Sequence, residues 1–203
     1  VKGFANLEQH IANVKAHGVP VVVAVNAFID DPVAELEWVR ERSREVGAVD
    51  AAVSTHWADG GAGAEELAKA VVRATEQTSA FNHLYAVAWP IKKKIQTIAT
   101  QMYGASDVSF DAQAERDIEL AQQLGLDRLP ICMAKTPLSL SHDPSLKGRP
   151  SGFTLPIKEV RILAGAGFLT AVCSGIQLMP GLPKKPAGER IGIDPGTGEI
   201  VGL

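Results

Sequence analysis

The sequence has few cysteines and few aromatic residues, and neither sign of charge dominates. Of its 203 residues two are cysteines, aromatic residues make up 5%, and the formal net charge is −3. No dense run of lysine and arginine carries interleaved aromatics, so the electrostatic signature of a nucleic-acid-binding protein is missing. The three lysines at 92–94 form only a short basic run, which predicts a solvent-exposed helix face.

Long apolar runs are missing as well. No stretch reaches the roughly 18 to 20 residues that span a bilayer, and the first residues do not resemble a signal peptide. We therefore expect a cytoplasmic protein without membrane contact. The apolar content of 46% is sufficient for an ordinary hydrophobic core.

The cysteines and histidines do not suggest a metal centre. Cys132 and Cys173 each lie inside an apolar run, which indicates buried free thiols rather than a disulfide in a reducing compartment. Neither has a second cysteine or a histidine at metal-ligand spacing, and the five histidines are scattered. The sequence therefore gives no support to a zinc site.

Helical and strand patterns alternate along most of the chain, in the order typical of a βα-type sheet. Strands are predicted at 19–25, 49–55, 108–110, 129–134, 157–164 and 168–173. Helices are predicted at 5–16, 32–46, 63–78, 90–103 and 112–124. The first strand is continuously apolar, which is typical of a strand covered on both faces. We expect an α/β fold with a mainly parallel or mixed sheet and helices on both faces.

Two segments differ from this pattern. Residues 136–156 are rich in Pro, Gly, Ser and His and follow neither periodicity. A long irregular segment of this kind is often functional, for example as a lid or an oligomer contact. Near the C-terminus, the turn residues at 194–198 separate two short apolar stretches and predict a hairpin.

Large aromatic side chains follow the first two predicted strands at the point where each strand ends. Phe28 comes soon after Asn26, and Trp57 follows the strand that ends at Thr55. Ligands of open α/β sheets bind outside the carboxyl ends of the strands, so two rings from adjacent loops could clamp a flat heterocycle. The alternative is that each ring caps the core under its own loop.

Polar residues near these loops could support such a site, and Asn26, at the end of the first strand, is one of them. Asp31 and Asp59 could accept hydrogen bonds from an amino-substituted heterocycle. Asp31 followed by Pro32 is also typical of a helix N-cap. Lys135, at the end of the fourth strand, is either a charge partner for an anionic substrate or a surface lysine.

The second loop also contains Gly60, Gly61 and Gly63 ahead of a predicted helix. These glycines could let backbone N–H groups approach an anion, or they could simply form a tight turn. The loop lacks the Lys and Ser/Thr of a P-loop and the spacing of the dinucleotide fingerprint. No catalytic triad can be assigned from spacing alone, so no catalytic residue is predicted.

Several motifs, taken in order over essentially the whole chain, resemble formate–tetrahydrofolate ligase. The first is residues 18–26 together with Phe28. The others are residues 56–63, 103–105, 129–136, 152–153, 155–157, 165–168 and 179–183. Three positions depart from the family pattern, namely Pro137, Leu163 and Leu178.

The resemblance implies an ATP-dependent carbon–nitrogen ligase. In such an enzyme formate is phosphorylated to formyl phosphate, and the formyl group passes to N10 of tetrahydrofolate. The resemblance also implies that Phe28 and Trp57 stack on the pterin ring, that the enzyme is a homo-oligomer, commonly a tetramer, and that a monovalent cation activates it.

The family's P-loop and its basic residues for formyl phosphate have no match in this sequence. We therefore expect residues 1–203 to be the C-terminal α/β folate-binding domain, with the ATP phosphate site on a missing N-terminal segment, and we expect the isolated chain to be inactive. One alternative is a non-catalytic interaction or assembly module, or a truncated remnant. Another is a nucleotide-binding domain that uses the glycine loop around Gly60.

Overall fold

The computed structural model describes residues 3–176 and 185–202, in which helices and strands alternate along most of the chain. The helices are α1 (Phe4–Lys15), α2 (Val33–Glu45), α3 (His56–Asp59), α4 (Glu65–Thr75), α5 (Ile91–Tyr103) and α6 (Ala112–Gln123). The strands are β1 (Val22–Asn26), β2 (Asp50–Ser54), β3 (Asp107–Phe110), β4 (Ile131–Ala134), β5 (Thr154–Leu163), β6 (Phe168–Cys173), β7 (Gly192–Ile193) and β8 (Ile200–Val201). The departure at Leu178 and the motif at 179–183 lie outside the described residues.

Helix α5 illustrates how the sequence sets the bounds of a helix. Pro90 stands just before its first residue, where a missing N–H costs nothing. Gly104 ends it in the left-handed region with φ of 80°, and its N–H donates to Ala99 O. The buried side chains recur every three or four residues and are Ile91, Lys94, Ile95, Ile98, Ala99 and Met102. This spacing forms one face that packs on the core.

Strands β1 and β2 form a two-stranded parallel sheet. A hydrophobic cluster joins this sheet to α1 and contains Ile11, Val21, Val23, Ala48 and Ala51. Ala51 and Ala52 are both buried, and because successive side chains point to opposite faces, both faces of β2 are covered. Helices α2 and α4 both contact β2.

The remaining long strands form a four-stranded mixed sheet in the order β3-β5-β6-β4. The pairs β3/β5 and β4/β6 are parallel, whereas β5/β6 is antiparallel. In β6 all residues from Leu169 to Cys173 are buried, so both of its faces are covered. Helices α5 and α6 contribute Ile95 and Ile118 to the core of this sheet. The predicted α/β fold with parallel and mixed strand pairing is confirmed.

The strand bounds differ from the prediction near prolines. β1 begins at Val22 and β4 at Ile131, two or three residues later than predicted, because Pro20 and Pro130 have no N–H to donate to a neighbouring strand. β5 begins at Thr154 and includes Pro156. The segment 154–156, which was predicted to be irregular, is thus part of the strand. The predicted C-terminal hairpin is confirmed, with Ile193 opposite Ile200.

Two side chains lie where the sequence did not predict them. Lys94 was predicted to be exposed but is fully buried, and its Nζ donates to the carbonyls of Val87, Asp127 and Leu129 at 3.2, 2.7 and 2.6 Å. Lys94 lies on the buried face of α5. The short basic run at 92–94 predicts a single exposed face, so this position was predicted wrongly. Cys132 was predicted to be buried and is exposed, whereas Cys173 is buried as predicted.

Candidate functional site

The parallel register of β1 and β2 brings the carboxyl ends of the two strands together. Asn26 lies opposite Ser54, and Ala27 N donates to Ser54 O at 2.9 Å. The ring centroids of Phe28 and Trp57 are consequently 5.7 Å apart, with an angle of 34° between the ring planes. The predicted neighbourhood of these two aromatic residues is therefore found in the structure.

Both rings are largely open to solvent. The exposed fraction is 56% for Phe28 and 53% for Trp57. A ring that caps a hydrophobic core would be covered by the residues beneath it, so core capping does not fit these values. A pair of exposed rings in contact forms an apolar patch that a flat ligand could cover.

Trp57 is anchored by a polar contact. Its indole Nε1–H donates to the carbonyl oxygen of Ala27 at 3.0 Å. This bond joins the loop after β2 to the loop after β1, one residue before Phe28. An indole held through its N–H keeps its face available for stacking.

Phe28 is held through its backbone rather than its ring. The N–H of Phe28 donates to Asp31 Oδ2 at 2.8 Å, and the N–H of Asp31 donates to Phe28 O at 3.1 Å. The carboxylate of Asp31 thus faces back into this turn, and α2 begins after Pro32 with no side-chain cap. The prediction of Asp31 as a helix N-cap was wrong, because the turn takes its carboxylate.

The loop after β2 contains a short helix that the sequence did not predict. Helix α3 places Asp59 next to Thr55, whose hydroxyl donates to Asp59 Oδ2 at 2.6 Å. Asn26, Asp31 and Asp59 are all exposed. An ionised carboxylate offers about four lone-pair positions, so Asp31 and Asp59 can each accept a further hydrogen bond from a ligand.

The glycines of this loop have conformational and steric roles. Gly60 has a φ of 58°, which suits glycine. A Cβ on Gly63 would lie 2.6 Å from the carbonyl carbon and the hydroxyl of Thr55. The first turn of α4 already carries Glu65 and Glu66, which compete with any anion for the helix N-terminus. The anion-binding interpretation of the glycine loop is therefore not supported.

Lys135 belongs to another part of the molecule. It follows β4, and its Nζ donates to the carbonyls of Thr136 and Ser139 and lies 5.0 Å from the centre of the Tyr103 ring. Partial burial lowers the pKa of Lys135. This lysine lines a cavity whose lining includes neither aromatic ring of the pair.

The spacing of the two rings bears on how a flat ligand could bind. A heterocycle between two parallel rings needs about 7 Å between them, twice the contact distance of about 3.5 Å. The observed centroid distance of 5.7 Å is shorter, so a ligand can enter between the rings only if one of them moves. The Phe28 ring has no polar atom that would anchor it, whereas the Trp57 ring is hydrogen-bonded to Ala27.

The bond between Trp57 and Ala27 was not predicted from the sequence. The two residues are 30 positions apart, and no local pattern carries a contact of that range. The residues described by the structure contain no group of three or more His, Cys, Asp or Glu placed to hold a metal ion. Among the described helices, none is long and apolar enough to cross a membrane.

Comparison with known proteins adds to this geometry. The family model described as formate–tetrahydrofolate ligase matches residues 1–203. The cytoplasmic C-1-tetrahydrofolate synthase of Homo sapiens is 48% identical over 202 residues, covering 100% of this chain and 22% of that protein. The formate–tetrahydrofolate ligase of Desulforamulus reducens is also 48% identical over 202 residues, covering 100% of this chain and 35% of that protein. The chain thus spans 22% to 35% of the length of these two relatives.

Proposed function

Because this chain belongs to the formate–tetrahydrofolate ligase family, we propose that it is the folate-binding domain of an enzyme that makes 10-formyltetrahydrofolate. The substrates of that enzyme are formate, ATP and tetrahydrofolate. The sequence 1–203 contains no P-loop motif, so we assign the ATP phosphate site and the formation of formyl phosphate to another part of the enzyme.

The observation that carries this proposal is the exposed pair Phe28 and Trp57 at the carboxyl ends of neighbouring parallel strands. The pterin ring is flat and polarisable, and each aromatic contact adds about 0.5 to 1.5 kcal/mol beyond the burial of its area. Trp57 provides the rigid face of the site, and the Phe28 ring closes over the other side of the ligand.

Polar groups at the rim complete the site. The carboxylates of Asp31 and Asp59 accept hydrogen bonds from the amino and ring N–H groups of the pterin. Held in this way, the substrate presents N10 to the formyl carbon of formyl phosphate in a fixed orientation. Fixing the two reactants lowers the entropic part of the barrier, and this is the contribution to catalysis that we assign to the domain.

The proposed location of the protein rests on the names of the relatives. The synthases of Homo sapiens and Mus musculus are named cytoplasmic, and we assign the same location to this chain. We also propose that the complete enzyme is a homo-oligomer. A purely non-catalytic assembly module is the second candidate, but the exposed aromatic pair at the strand ends favours a ligand-binding role.

Calorimetric titration of the 203-residue chain with tetrahydrofolate, and separately with ATP, tests the proposal. We expect saturable binding of tetrahydrofolate and no binding of ATP. Absence of tetrahydrofolate binding to protein that is folded by circular dichroism would contradict the proposal. Binding of ATP alone, lost on Gly60→Val, would instead support a nucleotide-binding domain.

A further inference from the structure

A cavity of about 510 Å³ lies between the first half of α1 and the irregular segment that follows β4. Its polar lining includes Asn6, His10, Lys135 and Lys147. Asn6 ties the two walls together, because its Nδ2 donates to Gly148 O at 3.1 Å. The cavity is therefore a defined part of the fold.

The charges in this cavity are of one sign. Among the residues that the structure describes, the formally charged side chains in its lining are Lys135 and Lys147. Backbone carbonyls hold both lysines in place, with Lys135 donating to Thr136 and Ser139 and Lys147 to Leu138 at 3.2 Å. An ammonium group has three N–H donors, so both lysines can also bind an anion.

Helix α1 adds to the positive potential. Gly3, the N-cap of this 12-residue helix, lines the cavity and provides no side-chain cap. In the described chain, the first turn of α1 carries no acidic side chain. The partial positive charge at the helix N-terminus is therefore not neutralised from within that turn, and it favours an anion in the cavity.

The cavity lies toward the end of the molecule that bears the aromatic pair. Helix α1 precedes β1 directly and packs against it, since Ile11 shares a hydrophobic cluster with Val21 and Val23. A helix joined by a short connection to a strand on which it packs runs antiparallel to that strand. The first turn of α1 thus lies toward the carboxyl end of β1, the end followed by Phe28.

We propose that this cavity binds the glutamate tail of the folate substrate, through the free carboxylates of its γ-linked glutamate residues at the opposite end of the molecule from the pterin. The assignment rests on the proposed function, because a bound pterin at Phe28 and Trp57 would direct its tail from this end of the sheet. Separate ammonium groups suit carboxylates spaced along a chain. A compact phosphate group is more typically bound by an arginine fork or a nest of N–H groups, and among the residues that the structure describes no arginine lines this cavity.

The probe for this site is p-aminobenzoyl-γ-triglutamate, which carries the tail but no pterin. Its binding to the chain and to the variant Lys147→Gln is measured by calorimetry at low salt. Lys158→Gln is the matched control, because Lys158 is exposed on β5 and does not line the cavity. We expect Lys147→Gln to weaken binding about fivefold and Lys158→Gln to leave it unchanged.

Three results would overturn the assignment. The first is no binding of the probe to the folded chain, and the second is an equal loss of affinity in Lys147→Gln and the control variant. The third is displacement of the probe by an equal concentration of inorganic phosphate, which would indicate a general anion site. Failure of the pterin site gives a different result, in which monoglutamyl tetrahydrofolate does not bind while the triglutamate probe still depends on Lys147.

Discussion

The indole N–H of Trp57 donates a 3.0 Å hydrogen bond to the carbonyl oxygen of Ala27, the residue that precedes Phe28. This bond connects the loops that follow two parallel strands, and it anchors one ring of the aromatic pair, whereas the other ring has no polar atom to anchor it. The pair is thus asymmetric, with a fixed indole and a phenyl group that is held only through its backbone.

The asymmetry predicts the effects of substitutions on folate binding. Trp57→Ala should weaken tetrahydrofolate binding to the chain about tenfold or more, because it removes a stacking face and the bond between the loops. Phe28→Ala should act in the same direction, and the double variant should be less than additive because both rings contact one ligand in the proposed site. Trp57→Phe should be milder, since a flat face remains. Calorimetric titration of each variant measures these affinities.

The matched control for Phe28→Ala is Phe81→Ala. Phe81 is a phenylalanine of similar exposure, 60% against 56%, that contacts His17 and His83 instead of Trp57. An equal loss of affinity in the two phenylalanine variants, or an unchanged affinity in Phe28→Ala and Trp57→Ala, would rule out the stacking role.

The glycine loop predicts a second pair of variants. Gly63→Ala should destabilise the fold by about 1 to 3 kcal/mol, because the new methyl group would lie 2.6 Å from Thr55 and force the loop after β2 to shift. Gly61→Ala is the control, since a Cβ there meets nothing within 4 Å and its φ is −60°. Urea unfolding measures both free energies of unfolding. Equal stability of the two variants would show that the close approach to Thr55 imposes no constraint.

Lys94 gives a prediction about stability. Lys94→Met should lower the free energy of unfolding by about 3 kcal/mol, since it leaves the carbonyls of Val87, Asp127 and Leu129 without their donor. Lys93→Met serves as the control, because Lys93 is exposed and its contact with the Trp89 ring contributes at most about 1 kcal/mol. Chemical denaturation measures the free energy of unfolding of both variants. A similar loss of this free energy in the two variants would contradict the prediction.

The ion pairs of Asp50 predict a dependence of stability on pH. Arg73 and Arg44 donate hydrogen bonds to Asp50 and lower the pKa of its carboxyl group to about 2. Because the folded pKa lies below the unfolded value of about 3.9, the contribution of Asp50 is present above about pH 4. It is lost as the pH falls through about 2.

The side chain of Arg44 is 43% exposed and that of Arg73 is 57% exposed. Solvent screening therefore limits the contribution of the two ion pairs with Asp50 to about 1 kcal/mol. Asp50→Asn should therefore lower stability by that amount at pH 7 and by less at pH 2.5. Thermal unfolding at both pH values tests this expectation, and a difference between wild type and variant that does not change with pH would contradict it.

The absence of a P-loop from the sequence 1–203 predicts that this chain alone does not form 10-formyltetrahydrofolate or hydrolyse ATP. Phosphoryl transfer depends on charges positioned around the phosphates, and the glycine loop at 60–63 provides none of the required lysine or Ser/Thr groups. A coupled assay with formate, ATP and tetrahydrofolate measures this activity. Turnover by the purified chain would place the phosphate site within these residues.

Sequence patterns by themselves determined the order of the long helices and strands, the α/β class, the C-terminal hairpin and the aromatic residues after the first two strands, but not the short helix α3. Apolar periodicity, prolines and turn residues act over a few neighbouring positions, so these features can be recognised from the chain alone. Strand bounds were less well predicted next to Pro20, Pro130 and Pro156, where the pairing of the neighbouring strand decides whether a missing N–H is tolerated.

Only the tertiary structure decided that the rings of Phe28 and Trp57 are in contact, that Lys94 is buried and that Cys132 is exposed. Each of these outcomes depends on groups far away in the sequence, such as the carbonyl of Ala27 for Trp57 and that of Leu129 for Lys94. The burial of Lys94 is tolerated because distant carbonyls converge on its ammonium group, and the composition of the surrounding residues does not reveal that convergence.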